Sequence, residues 1–452
     1  MTARSVAAAA AVVACSLAAS RDASAQCRGR PTDAAGYQGY SYGAAEVRSY
    51  ATAAIRVHYA TTGAYAPNLA TTRGDGVPDV VALAGDSGQQ ALAKYAEMGF
   101  KSPPSDAACA SNGGDDKLDI YLVAFAGADG SAVPEACSGR VCSTFMLVDS
   151  SFLGRGYPSI EEGFRTVVSH ELFHAVQNAY DQDIERFWAE GTAQWAMKSV
   201  FPELVDFERQ LPAFFKDNTR SLDTQPSGVT AGYLYGSAVW PLFLTLRHGP
   251  DTVQKIFEAE ADGTKALAAT EAVLAAKGSS LAETYPLFGA WNAATKSLAG
   301  SGGYPDAAKY PGVKIEALAD GVSAITSGLG YFVYQGVLDA PSKISLETDA
   351  TRNAGVVVPL QGGKADLAQA KALPADFEGD VLVVVAGITT KKTDAPFTVR
   401  IGAPDAGSSS SGGASGEEGG CSTSPSSARD PLAALPLAAL AVAFVLSRAR
   451  RR

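Results

Sequence analysis

The chain has 452 residues, of which 46% are hydrophobic and 19% charged, a composition typical of a globular protein with a sizeable core. Its formal net charge is −10 and its isoelectric point is near 5. Because this balance is acidic and no basic stripe interrupts it, we predict no nucleic-acid partner.

The first 25 residues have the pattern of a secretory signal peptide. One Arg precedes a run of Ala and Val that is too short and too rich in Ala to span a membrane, and Ala23-Ser24-Ala25 forms a small-x-small cleavage site. A second interpretation places the cleavage before Cys15, where the preceding residues loosely match a lipoprotein signal. Both interpretations predict that the protein is exported.

The body of the chain changes its periodicity along its length. Between about residues 45 and 160 a mixed pattern predicts strands at 53–63, 117–125 and 143–150, with a helix at 86–100. Residues 160–300 are mostly helical in spacing, with predicted helices at 159–180, 187–201, 236–249, 251–261 and 280–298. Strands followed by helices indicate the α+β class, so we predict one α+β domain over residues 26–312.

A second domain is predicted over residues 313–403. Short strand-like pieces alternate there with turns, at 330–337, 342–348, 354–360, 380–387 and 396–402. This regular alternation is typical of a small β-sandwich.

The C-terminal end combines a linker with a short apolar segment. Residues 404–420 are rich in Gly and Ser and cannot support a packed core. The segment 421–452 begins with Cys421 and continues through the apolar run Pro431–Leu446 to an Arg cluster. As a helix this run would rise only about 24 Å, short of the roughly 30 Å of a bilayer core.

This order closely resembles the MYXO-CTERM sorting tail of myxobacterial surface proteins. The resemblance implies removal of the tail by a sorting protease near Cys421, which would carry the final anchor to the membrane. The alternative is an ordinary C-terminal membrane anchor. Both predict that the body of the protein is displayed outside the inner membrane, and the sorting tail favours anchoring at the cell surface.

Four cysteines remain in the body once Cys15 and Cys421 are set aside, and they allow three pairings. Cys137 and Cys142 are five positions apart, which suits a hairpin-sized loop and would leave Cys27 to pair with Cys109. Disulfides are the default state of cysteines in an exported protein.

The stretch SHELFHAVQ, residues 169–177, contains His-Glu-x-x-His. Residues four apart lie on one face of a helix, so His170 and His174 can chelate one Zn²⁺ through their imidazoles. Glu171 lies beside them and can act as general base toward a metal-activated water. Two histidines do not complete a catalytic zinc site, so a third ligand is required.

The third ligand is predicted to be a glutamate. The metzincin continuation is excluded because Gln177 and Tyr180 occupy the positions of its Gly and third His. In the next helical segment Glu190 precedes Ala193 and Met197 by three and seven residues, which places its carboxylate on an apolar stripe. Asp183 or Glu185 in the preceding polar loop is the alternative.

HELFHAVQ followed by FWAEGTAQW resembles the gluzincin-type metalloproteases found among myxobacterial surface proteins. The resemblance extends to GDGVPDVV at 74–81, LDIYLVAF at 118–125 and GYLYGSAVW at 232–240, and covers most of residues 50–260. It implies a zincin-like domain in which His170, His174 and Glu190 bind zinc and Glu171 is the catalytic base. The connection between His174 and Glu190, with fifteen intervening residues, is shorter than in the best-known gluzincins.

Four further interpretations stay open from the sequence. Gln177 either joins the ligand helix to its neighbour or orients a ligand histidine from behind. By resemblance to the aminopeptidase branch of the gluzincins, Tyr233 would stabilise the oxyanion, and Tyr235 is an equally reachable phenol; core packing is the alternative for both. Asp75 and Asp79 indicate either a plain turn or a Ca²⁺ loop.

Together these patterns predict an exported, surface-anchored zinc metallopeptidase acting on a peptide or protein substrate. The alternative from another class is a non-catalytic surface binding or adhesion protein on a degenerate zincin fold. The presence of Glu171 favours the enzyme, because a protein without hydrolytic activity does not need the base.

Overall fold

The computed structural model describes residues 27–125, 127–390 and 393–404. The predicted signal peptide, the alternative cleavage before Cys15 and the tail with Cys421 lie outside these residues. So does almost all of the predicted linker.

The first part of the described chain combines one sheet with a set of helices, as the α+β prediction requires. The strands are β1 (Val47–Ala51), β2 (Ile55–Ala60), β3 (Leu118–Val123), β4 (Gly130–Ser138) and β5 (Val141–Asp149). The helices are α1 (Asp79–Glu97), α2 (Ile160–Gln177), α3 (Arg186–Val200), α4 (Asp206–Phe215), α5 (Gly232–Gly236), α6 (Val239–His248), α7 (Thr252–Glu260), α8 (Ala266–Ala276) and α9 (Leu281–Ala293).

The strand order in this sheet is β1-β2-β3-β5-β4. Strands β2, β3 and β5 are parallel, whereas β1 and β4 run antiparallel to their neighbours and form the two edges. Helices α1 and α2 pack on one face of the sheet and bury the apolar side chains of its central strands. The edge strand β4 therefore lies beside α2, the helix that carries the His-Glu-x-x-His motif.

The predicted strands at 53–63, 117–125 and 143–150 are confirmed as β2, β3 and β5, and the predicted helices are confirmed with shifted ends. Strands β1 and β4 and helices α4, α5 and α8 were not predicted. Pro134 interrupts the pattern of β4, and proline is tolerated there because β4 is an edge strand.

The second part forms one antiparallel sheet in the order β10-β9-β12-β8-β13-β7, with two short flanking strands. Its strands are β6 (Glu316–Ala317), β7 (Ser323–Ser327), β8 (Tyr331–Thr348), β9 (Asn353–Gln361), β10 (Lys364–Ala365), β11 (Lys371–Ala372), β12 (Ala375–Gly387) and β13 (Asp394–Gly402). The strand-rich character predicted for residues 313–403 is therefore confirmed, as a single hydrogen-bonded sheet.

The two faces of this sheet bury different clusters, as the alternation of side chains along a strand requires. Leu382 and Val384 join the large core that continues into α9 and the helices. Val381 and Val383 share a separate cluster with Phe397 of β13. Strand β8 is 18 residues long and pairs with both β12 and β13, and its Tyr334 belongs to the same second cluster.

Both predicted disulfides are confirmed. Cys137–Cys142 closes the irregular end of the β4–β5 hairpin, and Cys27–Cys109 ties the start of the described chain to the loop before β3. The N-terminal segment is thereby held against the sheet.

Near the Cys27–Cys109 disulfide, Arg30 is fully buried among three carboxylates. Its guanidinium contacts Asp119 at 2.5 Å and Asp106 at 2.6 Å, and it also pairs with Glu135. His58 contacts the other oxygen of Asp119 at 2.7 Å. A buried cation surrounded in this way compensates charges that would otherwise be desolvated without a partner.

Replacing Arg30 by methionine is expected to destabilise the fold by about 3–5 kcal/mol, because three buried carboxylates lose their shared counter-ion. The measurement is the free energy of unfolding from denaturant titration. Arg48→Met is the matched control, since Arg48 forms an exposed pair with Glu46 and its loss should leave the midpoint nearly unchanged. Equal midpoints for the wild type and Arg30→Met would contradict the prediction.

Candidate metal centre

Helices α2 and α3 form the scaffold of the candidate site. Helix α2 begins after its N-cap Ser159, whose Oγ accepts a hydrogen bond from the Glu162 amide at 3.1 Å. The two histidines lie one turn apart near its C-terminal end and face the first turns of α3. Helix α3 buries Ala193 and Met197, and Glu190 on the same stripe extends to the histidines.

The structure brings His170, His174 and Glu190 together. The distance between the two Nε2 atoms is 3.2 Å, and Glu190 Oε2 lies 3.3 Å from His170 Nε2 and 3.6 Å from His174 Nε2. Among the described residues, this is the one group in which three or more His, Cys, Asp or Glu side chains converge closely enough to hold a metal ion. The third ligand predicted from helical periodicity is therefore adjacent to the first two.

These distances fit a tetrahedral metal ion. Zinc bound at 2.0–2.1 Å in tetrahedral geometry separates its ligand atoms by about 3.3–3.4 Å. The three observed separations, 3.2, 3.3 and 3.6 Å, bracket this value. Two imidazole nitrogens with one carboxylate also form a ligand set that zinc uses in catalytic sites, where a fourth position stays open.

The charges of the cluster favour a cation. Burial alone would raise the pKa of Glu190, but hydrogen bonds from His170 and His174 hold it well below its usual range. Burial opposes a charge on His174, yet the Glu190 carboxylate raises the pKa of His174 to about 9. The carboxylate and the imidazole therefore stabilise each other's charged forms, and a metal ion that binds here would replace the hydrogen they share.

Glu171 lies on the side of α2 that faces strand β4. Burial raises the pKa of Glu171, an effect that the two histidines oppose, and its carboxylate accepts a hydrogen bond from the Ala132 amide. Gly130 makes the approach possible, because a Cβ there would lie 2.7 Å from Glu171 Cγ and 2.5 Å from Val167 Cγ1. The carboxylate is thus held between the motif helix and the edge strand.

The two candidate tyrosines have different surroundings. Tyr235 lies 5.7 Å from His170 between ring centres, and burial together with the nearby Glu190 and Glu171 carboxylates raises its pKa. Tyr233 is buried against Phe214, and its hydroxyl donates to two backbone carbonyls at 3.1 Å. The structure therefore brings Tyr235 to the cluster and leaves Tyr233 in the core.

A glutamine contacts the outer nitrogen of each histidine. Gln177 Oε1 lies 2.7 Å from His174 Nδ1, and Gln194 Oε1 lies 3.2 Å from His170 Nδ1. The orienting interpretation of Gln177 thus has a specific contact, and its other end joins α2 to α3. Gln194 was missed by sequence analysis, although its position, four residues after Glu190, places it on the same face of α3.

Clefts open on both sides of the cluster. One of about 290 Å³ contacts His170, Glu171 and Tyr235, and another of about 180 Å³ contacts His174. Strand β4 borders both, with Gly130 on the first and Ala132 and Pro134 on the second. The cluster is therefore reachable from solvent along the unpaired edge of the sheet.

The other carboxylates that the sequence offered as metal ligands make contacts outside the cluster. Asp75 accepts the Val77 amide and pairs with Arg73, while Asp79 accepts the Thr72 amide and hydroxyl, so the segment forms a turn before α1. In the loop before α3, Glu185 accepts the Ala266 amide and its side chain does not belong to the convergent group.

No protein-family model matches the chain, and no curated protein matches it.

Proposed function

We propose that this protein is a zinc metallopeptidase, with a zincin-like catalytic domain and a C-terminal sandwich-like sheet that supports it. The observation that carries the proposal is the mutual spacing of His170 Nε2, His174 Nε2 and Glu190 Oε2, which matches tetrahedral ligation. Glu171 lies beside this triad and adds a general base. Hydrolysis requires such a base, whereas a structural zinc site does not need one.

Zinc held by these three side chains would polarise a scissile carbonyl and lower the pKa of water. The Glu171 carboxylate would accept a proton from the attacking water and return it to the leaving amine. Its half-buried setting raises the pKa of Glu171 above the usual value of a glutamate, which strengthens the carboxylate as a base. The Ala132 amide holds the carboxylate toward the cleft.

Tyr235 supplies a hydrogen-bond donor near the proposed zinc position. Its phenol lies beside Glu190 and remains protonated, because burial and the two carboxylates raise its pKa. A protonated phenol can donate to the oxyanion that develops on the scissile carbonyl. The role assigned by resemblance to Tyr233 is therefore proposed for Tyr235.

A peptide is the substrate class that the surroundings favour. Strand β4 is an edge strand, so its outer amides and carbonyls can pair with an extended chain that lies across the two clefts. The predicted signal peptide and sorting tail support an exported, surface-anchored location, and both disulfides suit that compartment.

Removal and restoration of zinc test the proposal. Purified protein treated with a chelator is expected to lose cleavage of casein or gelatin, and one equivalent of zinc per chain is expected to restore it. A variant without ligands, His170→Ala with His174→Ala, controls for contaminating proteases and should not respond to zinc. Full zinc occupancy without cleavage of any peptide would contradict the peptidase proposal, and failure to bind zinc would contradict the site.

A further inference from the structure

We propose that Gln177 and Gln194 are positioning residues that fix both ligand histidines in one tautomer, with hydrogen on Nδ1 and a lone pair on Nε2. This inference rests on the proposed function, because the lone pairs are directed to the proposed zinc position. It assigns roles to Gln194 and to Asp206 behind it, neither of which the sequence patterns indicated.

Gln194 is 1% exposed and has a defined amide orientation. Its Nε2 lies 2.7 Å from Asp206 Oδ2, and an ionised carboxylate can only accept hydrogen bonds. The amide nitrogen must therefore face Asp206, which leaves Gln194 Oε1 facing His170 Nδ1 at 3.2 Å. An oxygen acceptor requires hydrogen on Nδ1, so in neutral His170 the lone pair is on Nε2.

Gln177 imposes the same tautomer on His174. Its Nε2 lies 2.8 Å from the Ala189 carbonyl and 2.9 Å from Thr192 Oγ1. The Thr192 hydroxyl donates its hydrogen to the Trp188 carbonyl at 2.6 Å, so toward Gln177 it is an acceptor. Gln177 Oε1 must then accept the hydrogen of His174 Nδ1 at 2.7 Å.

Both Nε2 atoms are consequently directed toward Glu190 by contacts outside the cluster, and their lone pairs become available to a metal ion once it displaces the hydrogen shared with the carboxylate. The anchors are backbone and side-chain groups of α3 and α4, so the orientation of the imidazoles depends on how three helices pack. Partners of this kind fix the ring orientation of ligand histidines and raise metal affinity. Both glutamines are neutral. Among the two histidines, the two glutamines and Glu190, the anionic side chain is therefore Glu190.

The first test measures zinc affinity by competition with a chromophoric chelator at fixed pH. Gln177→Met and Gln194→Met keep the length of the side chain, remove the acceptor, and are each expected to weaken zinc binding about 10–100-fold. Gln210→Met is the matched control, because Gln210 lines the same cleft while its described contacts do not include either histidine. Wild-type affinity in both histidine-contacting variants would overturn the proposal.

The second test separates hydrogen-bond direction from packing. Gln194→Glu places a second carboxylate next to that of Asp206, so the two repel each other. This variant should weaken zinc binding at least 10-fold. Adding Asp206→Asn reverses donor and acceptor, so the introduced carboxylate can accept from both His170 and the new amide. We expect the double variant to recover zinc affinity to within about 3-fold of the wild type.

A double variant that binds zinc as weakly as Gln194→Glu would overturn the assignment. Absorption spectra of the Co²⁺-substituted proteins provide a readout that does not depend on activity, and the spectrum of the double variant should match the wild type. These outcomes are distinguishable from failure of the proposed function. A wild-type protein that binds zinc tightly but hydrolyses no peptide would contradict the peptidase and leave the role of the glutamines intact.

Discussion

Glu190→Gln is expected to weaken zinc binding by more than about 100-fold, because it removes a charged ligand atom, whereas loss of an outer hydrogen-bond partner alone costs about 10–100-fold. Glu190 Oε2 lies 3.3 and 3.6 Å from the two histidine Nε2 atoms, and glutamine has the same shape without the charge. The measurement is the zinc dissociation constant at fixed pH, with circular dichroism to verify folding.

Asp183→Asn and Glu185→Gln are the matched controls for this prediction. Asp183 is an exposed loop carboxylate, 4.0 Å from Arg140, and Glu185 accepts the Ala266 amide, so neither change should alter zinc affinity. Each was an alternative third ligand on sequence grounds. Zinc binding that survives Glu190→Gln but is lost in one of these controls would contradict the assignment.

Glu171→Gln is expected to lower kcat for peptide hydrolysis by about 10²–10⁴-fold, the usual contribution of a positioned general base. Zinc affinity should stay within a few-fold of the wild type, since Glu171 belongs to neither the ligand set nor its hydrogen-bond partners. Steady-state kinetics on a fluorogenic peptide, with zinc content measured on the same samples, separate the two effects.

Glu161→Gln serves as the control on the same helix. Glu161 is exposed in the first turn of α2, where it pairs with Arg165, so its loss should leave kcat unchanged. A Glu171→Gln enzyme with wild-type kcat would exclude Glu171 as the base. A variant that loses both zinc and activity would instead indicate that Glu171 maintains the site.

The convergence of His170, His174 and Glu190 could be predicted because it depends on local periodicity. His170 and His174 are one helical turn apart, so their convergence follows as soon as the helix is recognised. Glu190 could be selected over loop carboxylates because a carboxylate on an apolar stripe requires a partner. Both inferences use contacts that lie within α2 or between α2 and the next helix.

The hydrogen-bond partners of the two histidines could not be predicted, because they depend on long-range packing. Asp206 begins a helix that the sequence pattern did not indicate, and it contacts α3 only in the folded chain. Strand β4 escaped prediction because Pro134 and Gly130 weaken its pattern, although Gly130 is required for the close approach to Glu171.

The two tyrosines show that the sequence motif alone does not identify which phenol faces the cluster. Tyr233 and Tyr235 are two positions apart on α5 and point to nearly opposite sides of the helix, so only one can face the cluster. Packing of Tyr233 on Phe214 of α4 decides which one does. No local feature of the sequence carries that information.

X-ray absorption at the zinc edge, on protein loaded with one equivalent of zinc, tests the central claim most directly. We predict a four-coordinate shell of nitrogen and oxygen at about 2.0–2.2 Å, with the multiple-scattering signature of two imidazoles. A shell that contains sulfur, or six oxygens without imidazole, would contradict a catalytic zinc held by His170, His174 and Glu190.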